Sequence, residues 1–341
     1  MSAYRRLVPL LVAAACAAPL VCAAGASAGT PTPGPTPTVS PTDSPSPDPT
    51  PTVTPRDSPS PTPTVTSTTT PTSTPTPTAI VATRGNYAPN PADTIRTYAP
   101  SDTGLHPAML FIHGGAWGRS RPNSHEFRFA RRLAAQHDWV VAVIGYPTKI
   151  PREHVIEPRA IRAALTKLVS RDDVDPRAVA LWGESSGGQL ALLAAYRDAM
   201  LPAPIVHAVV SISGPTNMRI EYASLAQTAP GAVTRFEGLT PHQAQLRGSA
   251  RYRLTSPVNL VRHTDPATFQ AISWHDPLVP AVQIADLARR LTAEGVPHET
   301  VHIPGDGHST TIETQRPAGS KHDVAYLATA FLTQVFAKAT T

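Results

Sequence analysis

Short runs that are apolar at every position alternate with amphipathic stretches from residue 93 almost to the end of the chain. Asp93 to Pro100 alternates with period two and predicts an edge strand. Pro107 to Gly115, Trp139 to Pro147, Ala178 to Glu184, Ile205 to Gly214, Ala267 to His275 and His298 to Gly305 predict strands buried on both faces. Between them, 126–136, 158–169, the stretch after Glu184, 281–294 and 324–337 carry apolar residues at helical spacing. Strands apolar on both sides and separated by helices predict an α/β fold, with a mostly parallel central sheet and helices on both faces. Residues 215–265 break the rhythm with mixed polarity, several Pro and Gly and no clear strand, and predict a small cap or insertion.

The first 78 residues do not follow this pattern. Arg5 and Arg6 precede an apolar run from Leu7 to Val21, and Ala26-Ser27-Ala28 follows at the spacing of a signal-peptidase site, so 1–28 predicts a secretory signal peptide. The competing reading, a membrane anchor, is disfavoured by Pro9 and Pro19 and by a run shorter than the roughly 20 residues of a span. Residues 29–78 are built almost entirely from Pro, Thr and Ser and contain no aromatic side chain, which predicts an extended, disordered linker that would serve as a stalk. The chain is thus expected to be secreted, with a cell-surface tether as the alternative, and to leave one catalytic-size domain at 79–341.

Both cysteines, Cys16 and Cys22, fall inside the signal, so the domain holds no thiol or disulfide. Lipidation of either is the alternative, against which Val21 is too large for the usual attachment pattern and Cys16 comes early. The formal charge of +5 persists in 79–341, because Arg5 and Arg6 offset the linker's acidic excess. That balance is a weak pointer to nucleic acid. The densest basic group, Arg128, Arg131 and Arg132, has the spacing of a solvated helix face, and no nucleic-acid module accompanies it.

Candidate chemistry centres on Gly183, Ser185 and Gly187, a G-x-S-x-G at a predicted strand-to-helix junction. There the glycines let the chain fold back sharply and the serine projects its Oγ from the turn, while the helix N-terminus offers free amides to an oxyanion. A second motif, His113-Gly114-Gly115-Ala116-Trp117, ends an earlier apolar strand, where glycines let amides approach a substrate carbonyl. The two together predict a serine hydrolase. Ser186 stands off the motif centre and is the weaker nucleophile candidate, but its amide is expected to matter.

At these residues the sequence resembles the α/β-hydrolase superfamily, in its esterase and lipase branch with an H-G-G-x-W motif, which includes feruloyl and acetyl esterases, hormone-sensitive-lipase-like enzymes and arylformamidases. The resemblance runs from about Gly85 to the end. It departs where Ala116 replaces the third glycine of the H-G-G-G form and where Ile144 to Lys149 replaces an N-Y-R stretch. It implies an oxyanion hole from the amides of Gly115 and Ser186 with Gly114 or Ala116. The chain order Ser, acid, His then selects His308, in a glycine-flanked loop after the last strand, and Asp276, in a loop similar to D-x-x-V-P but lacking the usual H-G-x-x-D lead. Asp265 precedes the strand, Asp286 lies in a helix, and Asp306 is too near His308 in sequence to orient its ring.

The expected activity is hydrolysis of short-chain or polysaccharide-linked acyl esters through a Ser-His-Asp triad and an acyl-enzyme. An amidase, arylformamidase or peptidase with the same triad is the nearest rival, and a non-catalytic extracellular binding module is the rival in kind. A metal hydrolase would have to use His298, His302 and Glu299 on one strand, a spacing that matches no metal motif. The sequence calls for no cofactor and no metal, and it sets no oligomeric state.

Overall fold

In a computed structural model of the chain, residues 79–149, 153–225, 230–239 and 248–340 are described, all within the unit Pro71–Thr341. The expected signal peptide and linker lie outside the described residues. Eight strands form one sheet: β1 (Ile80–Asn86), β2 (Thr94–Pro100), β3 (His106–Ile112), β4 (Val140–Ile144), β5 (Val174–Glu184), β6 (Ala208–Ile212), β7 (Ala267–Ser273) and β8 (His298–Ile303). Their order is β1-β2-β4-β3-β5-β6-β7-β8. The pairs β1·β2 and β2·β4 are antiparallel and the others parallel.

The expected edge strand is therefore not the edge. Ile80–Asn86 lies outside it, and its burial is intermediate at Ile80 and exposed from Val81 to Asn86. A strand held by its backbone ladder to one neighbour needs no apolar alternation, so periodicity gave no sign of it. The helix expected from Pro158 begins at Glu153, with the proline in its second turn, where it forfeits one helix hydrogen bond. The strand expected from Ala178 begins at Val174, and its register with β3 shifts between His106 and Ala108.

The core strands bury both faces. On β3, Ala108, Leu110 and Ile112 join one apolar layer while Met109 and Phe111 join the other; on β5, Val179 and Leu181 alternate with Ala178, Ala180 and Trp182 in the same way. The first layer is closed by α2 (Glu153–Val169) and α3 (Ser186–Asp198), the second by α1 (Ser124–His137) and α8 (Val324–Thr340). Within 215–265 the described residues form helices α4 (Met218–Leu225), α5 (Pro230–Glu237) and α6 (Gly248–Thr255) and a 3-10 turn at Pro257–Asn259. Phe236 of α5 stacks on Trp117 at 5.2 Å, so this insertion covers the segment after β3. The remaining helix, α7 (Val282–Ala293), packs on β7 and β8. Arg128, Arg131 and Arg132 lie exposed on α1, as a solvated face requires.

Strand β3 is flanked by β4 on one side and β5 on the other, so the chain leaves its C-terminal end in one direction and returns on the opposite side. In such sheets the loops beyond the carboxyl ends part at this point and leave a crevice. The segments following β3, β5, β7 and β8 carry the sequence-selected residues.

Candidate active site

Ser185 sits between β5 and α3 with φ 53° and ψ −127°, a strained backbone that turns the side chain out of the elbow. The turn closes because its glycines have no side chain. A Cβ at Gly187 would lie 2.2 Å from the Ile112 carbonyl oxygen, and one at Gly114 would lie 2.7 Å from the Glu184 carbonyl oxygen and 2.9 Å from Ser185 Cβ. The two motifs thus touch through backbone, and any side chain at either glycine would push them apart.

Three side chains far apart in sequence converge here. Ser185 Oγ is 2.9 Å from His308 Nε2, and His308 Nδ1 donates to Asp276 at 2.8 and 2.9 Å. The Asp276 side chain is fully buried and that of His308 is 16% exposed. Asp276 Oδ1 also accepts from the amides of Leu278 and Val279 at 3.0 and 2.9 Å, which fixes the carboxylate before the imidazole is counted. A donor at Nδ1 leaves Nε2 as the acceptor facing the serine hydroxyl.

The segment after β3 is held open by a network that the sequence reading did not find. Gly115, Ala116 and Trp117 have φ of 135°, 50° and 54°, and Gly115 and Ala116 are exposed beside Ser185's elbow. His113 is buried, and burial lowers its pKa to about 3, so its neutral ring donates through Nδ1 to the Gly114 carbonyl at 2.8 Å. Tyr146 stacks on that ring at 4.4 Å and donates to the His113 carbonyl at 2.6 Å. This is the place of Tyr146 within the Ile144 to Lys149 departure. Arg119 donates through Nε to the Gly114 carbonyl at 3.0 Å and through its terminal nitrogens to the buried carboxylate of Glu126. Glu126 in turn belongs to a capping box with Asn123 at the start of α1. Trp117 is buried and donates to Gln189 Oε1 at 3.0 Å, so the tryptophan of the H-G-G-x-W motif anchors the segment to α3.

Ser186 is the first residue of α3 and buried, with its amide at the helix N-terminus next to Ser185. The residues weighed for metal chemistry go elsewhere. His298 Nδ1 pairs with the Val296 carbonyl at 2.9 Å, and His302 stacks against Trp274 at 3.9 Å. Among the described residues no three His, Cys, Asp or Glu side chains gather as a metal site.

The chain matches the family described by the alpha/beta hydrolase fold over residues 109–312. Esterase LipC of Mycobacterium tuberculosis is 26% identical over 247 residues, which cover 67% of this chain and 58% of that protein, so the match spans little more than half of that relative's length. Among solved structures, a truncated carbohydrate esterase from gut microbiota superposes with a TM-score of 0.57 at 20% identity, covering 75% of this chain and 96% of that one. A bifunctional GH43-CE protein of Bacteroides eggerthii gives 0.60 at 19% identity, covering 76% of this chain and 38% of the other. These two likenesses speak for the fold alone. With the matched span running from β3 to the segment that holds His308, and the sheet order just described, this chain is a member of the α/β-hydrolase fold family.

Proposed function

We propose that this protein is a serine carboxylesterase in which Ser185 is the nucleophile, His308 the general base and acid, and Asp276 the residue that orients and charges the imidazole. The observation that supports it most is the unbroken relay from the buried Asp276 carboxylate through His308 to Ser185 Oγ, with contacts of 2.8 to 2.9 Å. As Oγ bonds to the ester carbonyl carbon, its proton passes to Nε2 and the carbonyl π pair moves to oxygen. That oxyanion lies against the amides of Gly115 and Ser186 with Gly114 or Ala116, donors fixed in place before charge develops. Collapse breaks the bond to the alkoxy group, which takes the proton from Nε2 and departs as the alcohol. A water molecule then gives its proton to Nε2 as its oxygen attacks the acyl carbon. Expulsion of Oγ, reprotonated by His308, releases the carboxylic acid.

The substrate side of the proposal is short-chain or polysaccharide-linked acyl esters. Support comes from the fold shared with the carbohydrate esterase named above and from the sequence of residues 1–78, which reads as an export signal and stalk and so favours work outside the cell, free or tethered. Hydrolysis of p-nitrophenyl acetate, butyrate and octanoate by the full chain, with EDTA present, tests this. Acetate and butyrate are expected to be cleaved fastest, and Ser185→Ala to lower kcat by several orders of magnitude, on the order of 10⁴-fold or more. Retention of most activity by Ser185→Ala overturns the assignment.

A further inference from the structure

Two carboxyl groups that the proposed chemistry does not use lie directly behind the nucleophile. Glu184 precedes Ser185 and Glu313 follows His308 by five residues, and each is 1% exposed. The loop bearing His308 meets Glu184 at two points. Ser309 Oγ donates to Glu184 Oε2 at 3.0 Å, and the buried Glu313 carboxyl lies beside the Glu184 carboxyl. Ser309 is held a second way, since its amide donates to Ser213 Oγ at 3.0 Å, just beyond β6. Ser185, Ser213 and Ser309 all have φ between 50° and 54°, a conformation that non-glycine residues adopt only when their surroundings enforce it. Ser309 is therefore bonded to the end of β5 by its side chain and to the segment after β6 by its backbone, although the residue is only partly buried.

We propose that Ser309 is a positioning residue for His308, fastening the base loop to the nucleophile's own strand through the Glu184 carboxyl. Adjacent carboxylates in an apolar interior cannot both ionise, so one proton stays between them. Burial pushes the Glu184 carboxyl up to about 7, and burial together with the charge of Glu184 pushes Glu313 well above the ordinary range. Oε2 of Glu184 accepts from Ser309 whichever of the two carboxyls carries that proton. The other charges facing the pair are Glu126 and Arg132 from α1 and Arg119 from the segment after β3. Asp276 orients the imidazole ring, whereas Ser309 and Glu184 set the height of the backbone that carries it.

This inference rests on the assignment of Ser185 and His308, and its test includes readouts that need no ester. The rate at which a fluorophosphonate labels Ser185 and the low-field proton resonance of His308 Nδ1–H are measured beside hydrolysis, in wild type, Ser309→Ala, Glu184→Gln and Glu313→Gln, with Ser185→Ala as the blank. Ser309→Ala is expected to slow labelling and kcat roughly 10- to 100-fold, because small misplacement of a base is costly, to leave KM within about twofold and to move the resonance. Glu313→Gln leaves the bond from Ser309 to Glu184 in place and is expected to keep labelling near the wild-type rate. Glu184→Gln, which puts an amide in place of the carboxyl that accepts from Ser309, is expected to slow labelling in the same sense as Ser309→Ala. Ser309→Gly, which tolerates the same φ, replaces the alanine variant if that does not fold. Labelling by Ser309→Ala at the wild-type rate with an unmoved resonance overturns the inference while leaving the esterase reading intact. A wild type that labels at Ser185 but cleaves no ester overturns the esterase reading and leaves the inference to be judged by labelling. Absence of labelling in the wild type overturns both.

Discussion

Asp276 shows how much a single side chain does at this site. It accepts from two backbone amides and from His308 while its own side chain is fully buried. Asn has the same shape but would present N–H groups where acceptors are needed, and the imidazole would turn to the wrong tautomer. Asp276→Asn is therefore expected to lower kcat by about 10³- to 10⁴-fold with little change in KM, as steady-state kinetics on p-nitrophenyl butyrate would reveal. At Gly187 the effect belongs to folding instead. A Cβ there would sit 2.2 Å from the Ile112 carbonyl oxygen, so Gly187→Ala must separate β3 from α3. The expected cost is about 3 kcal/mol, which in a domain of this size lowers Tm by roughly 6–12 °C; calorimetry of the variant reads it directly. A variant as stable as the wild type would mean that the elbow has slack the contacts deny.

Among the elements, the segment between β3 and α1 depends on the helix that follows it. Arg119 reaches from the Gly114 carbonyl to Glu126 at the third position of α1, whose carboxylate also caps the Asn123 amide. The guanidinium fork joins two elements in a way that an ammonium cannot reproduce. Arg119→Lys is expected to keep the fold but lower kcat about tenfold, through a less rigid segment between β3 and α1. Arg119→Ala, which leaves the Glu126 charge buried without its cation, is expected to cost stability as well, on the order of 3 kcal/mol. Kinetics and thermal unfolding of the two variants side by side separate these effects. Equal kcat in Arg119→Lys and wild type would show that the amides are positioned without the clamp.

Across the whole molecule, buried carboxyls set the response to pH. Burial raises Glu184 to about 7, Glu221 to about 8 and Glu237 to about 7, from an ordinary value near 4.5. Each folded carboxyl holds its proton over a range where the unfolded chain has released it, so stability declines as pH rises through that range. Burial lowers His113, His137, His207 and His302, which lose stability only below the ordinary histidine value of 6.5. Between pH 6.5 and 8 the carboxyls act alone, and Tm is expected to fall as pH rises. Glu221→Gln, whose amide can still meet Gln283 across the join between insertion and α7, is expected to flatten that decline. A Tm that rises over this interval would contradict the burial of these groups.

What the sequence by itself determined follows from local physics. Continuous apolar runs separated by amphipathic ones require a parallel sheet covered on both faces, and β3 and β5 alternate their side chains between two layers as that requires. The glycines about Ser185 and after β3 were legible because close backbone approach demands them whatever else the chain does. Chain order and loop context singled out Asp276 and His308 before their side chains were seen together. The tertiary structure alone decided what depends on contacts between distant segments. β1 has no apolar signature because one neighbour's ladder suffices to hold it. Tyr146, Arg119 and Glu126 form no motif, since their partners are carbonyls and carboxylates brought near by the crossing of β3, β4 and α1. Glu184 and Ser309 read as ordinary polar neighbours of two selected residues until 125 positions of chain close between them. Pattern is a property of neighbours in sequence, whereas the charge and hydrogen bonding of a buried group are set by whatever the fold places against it.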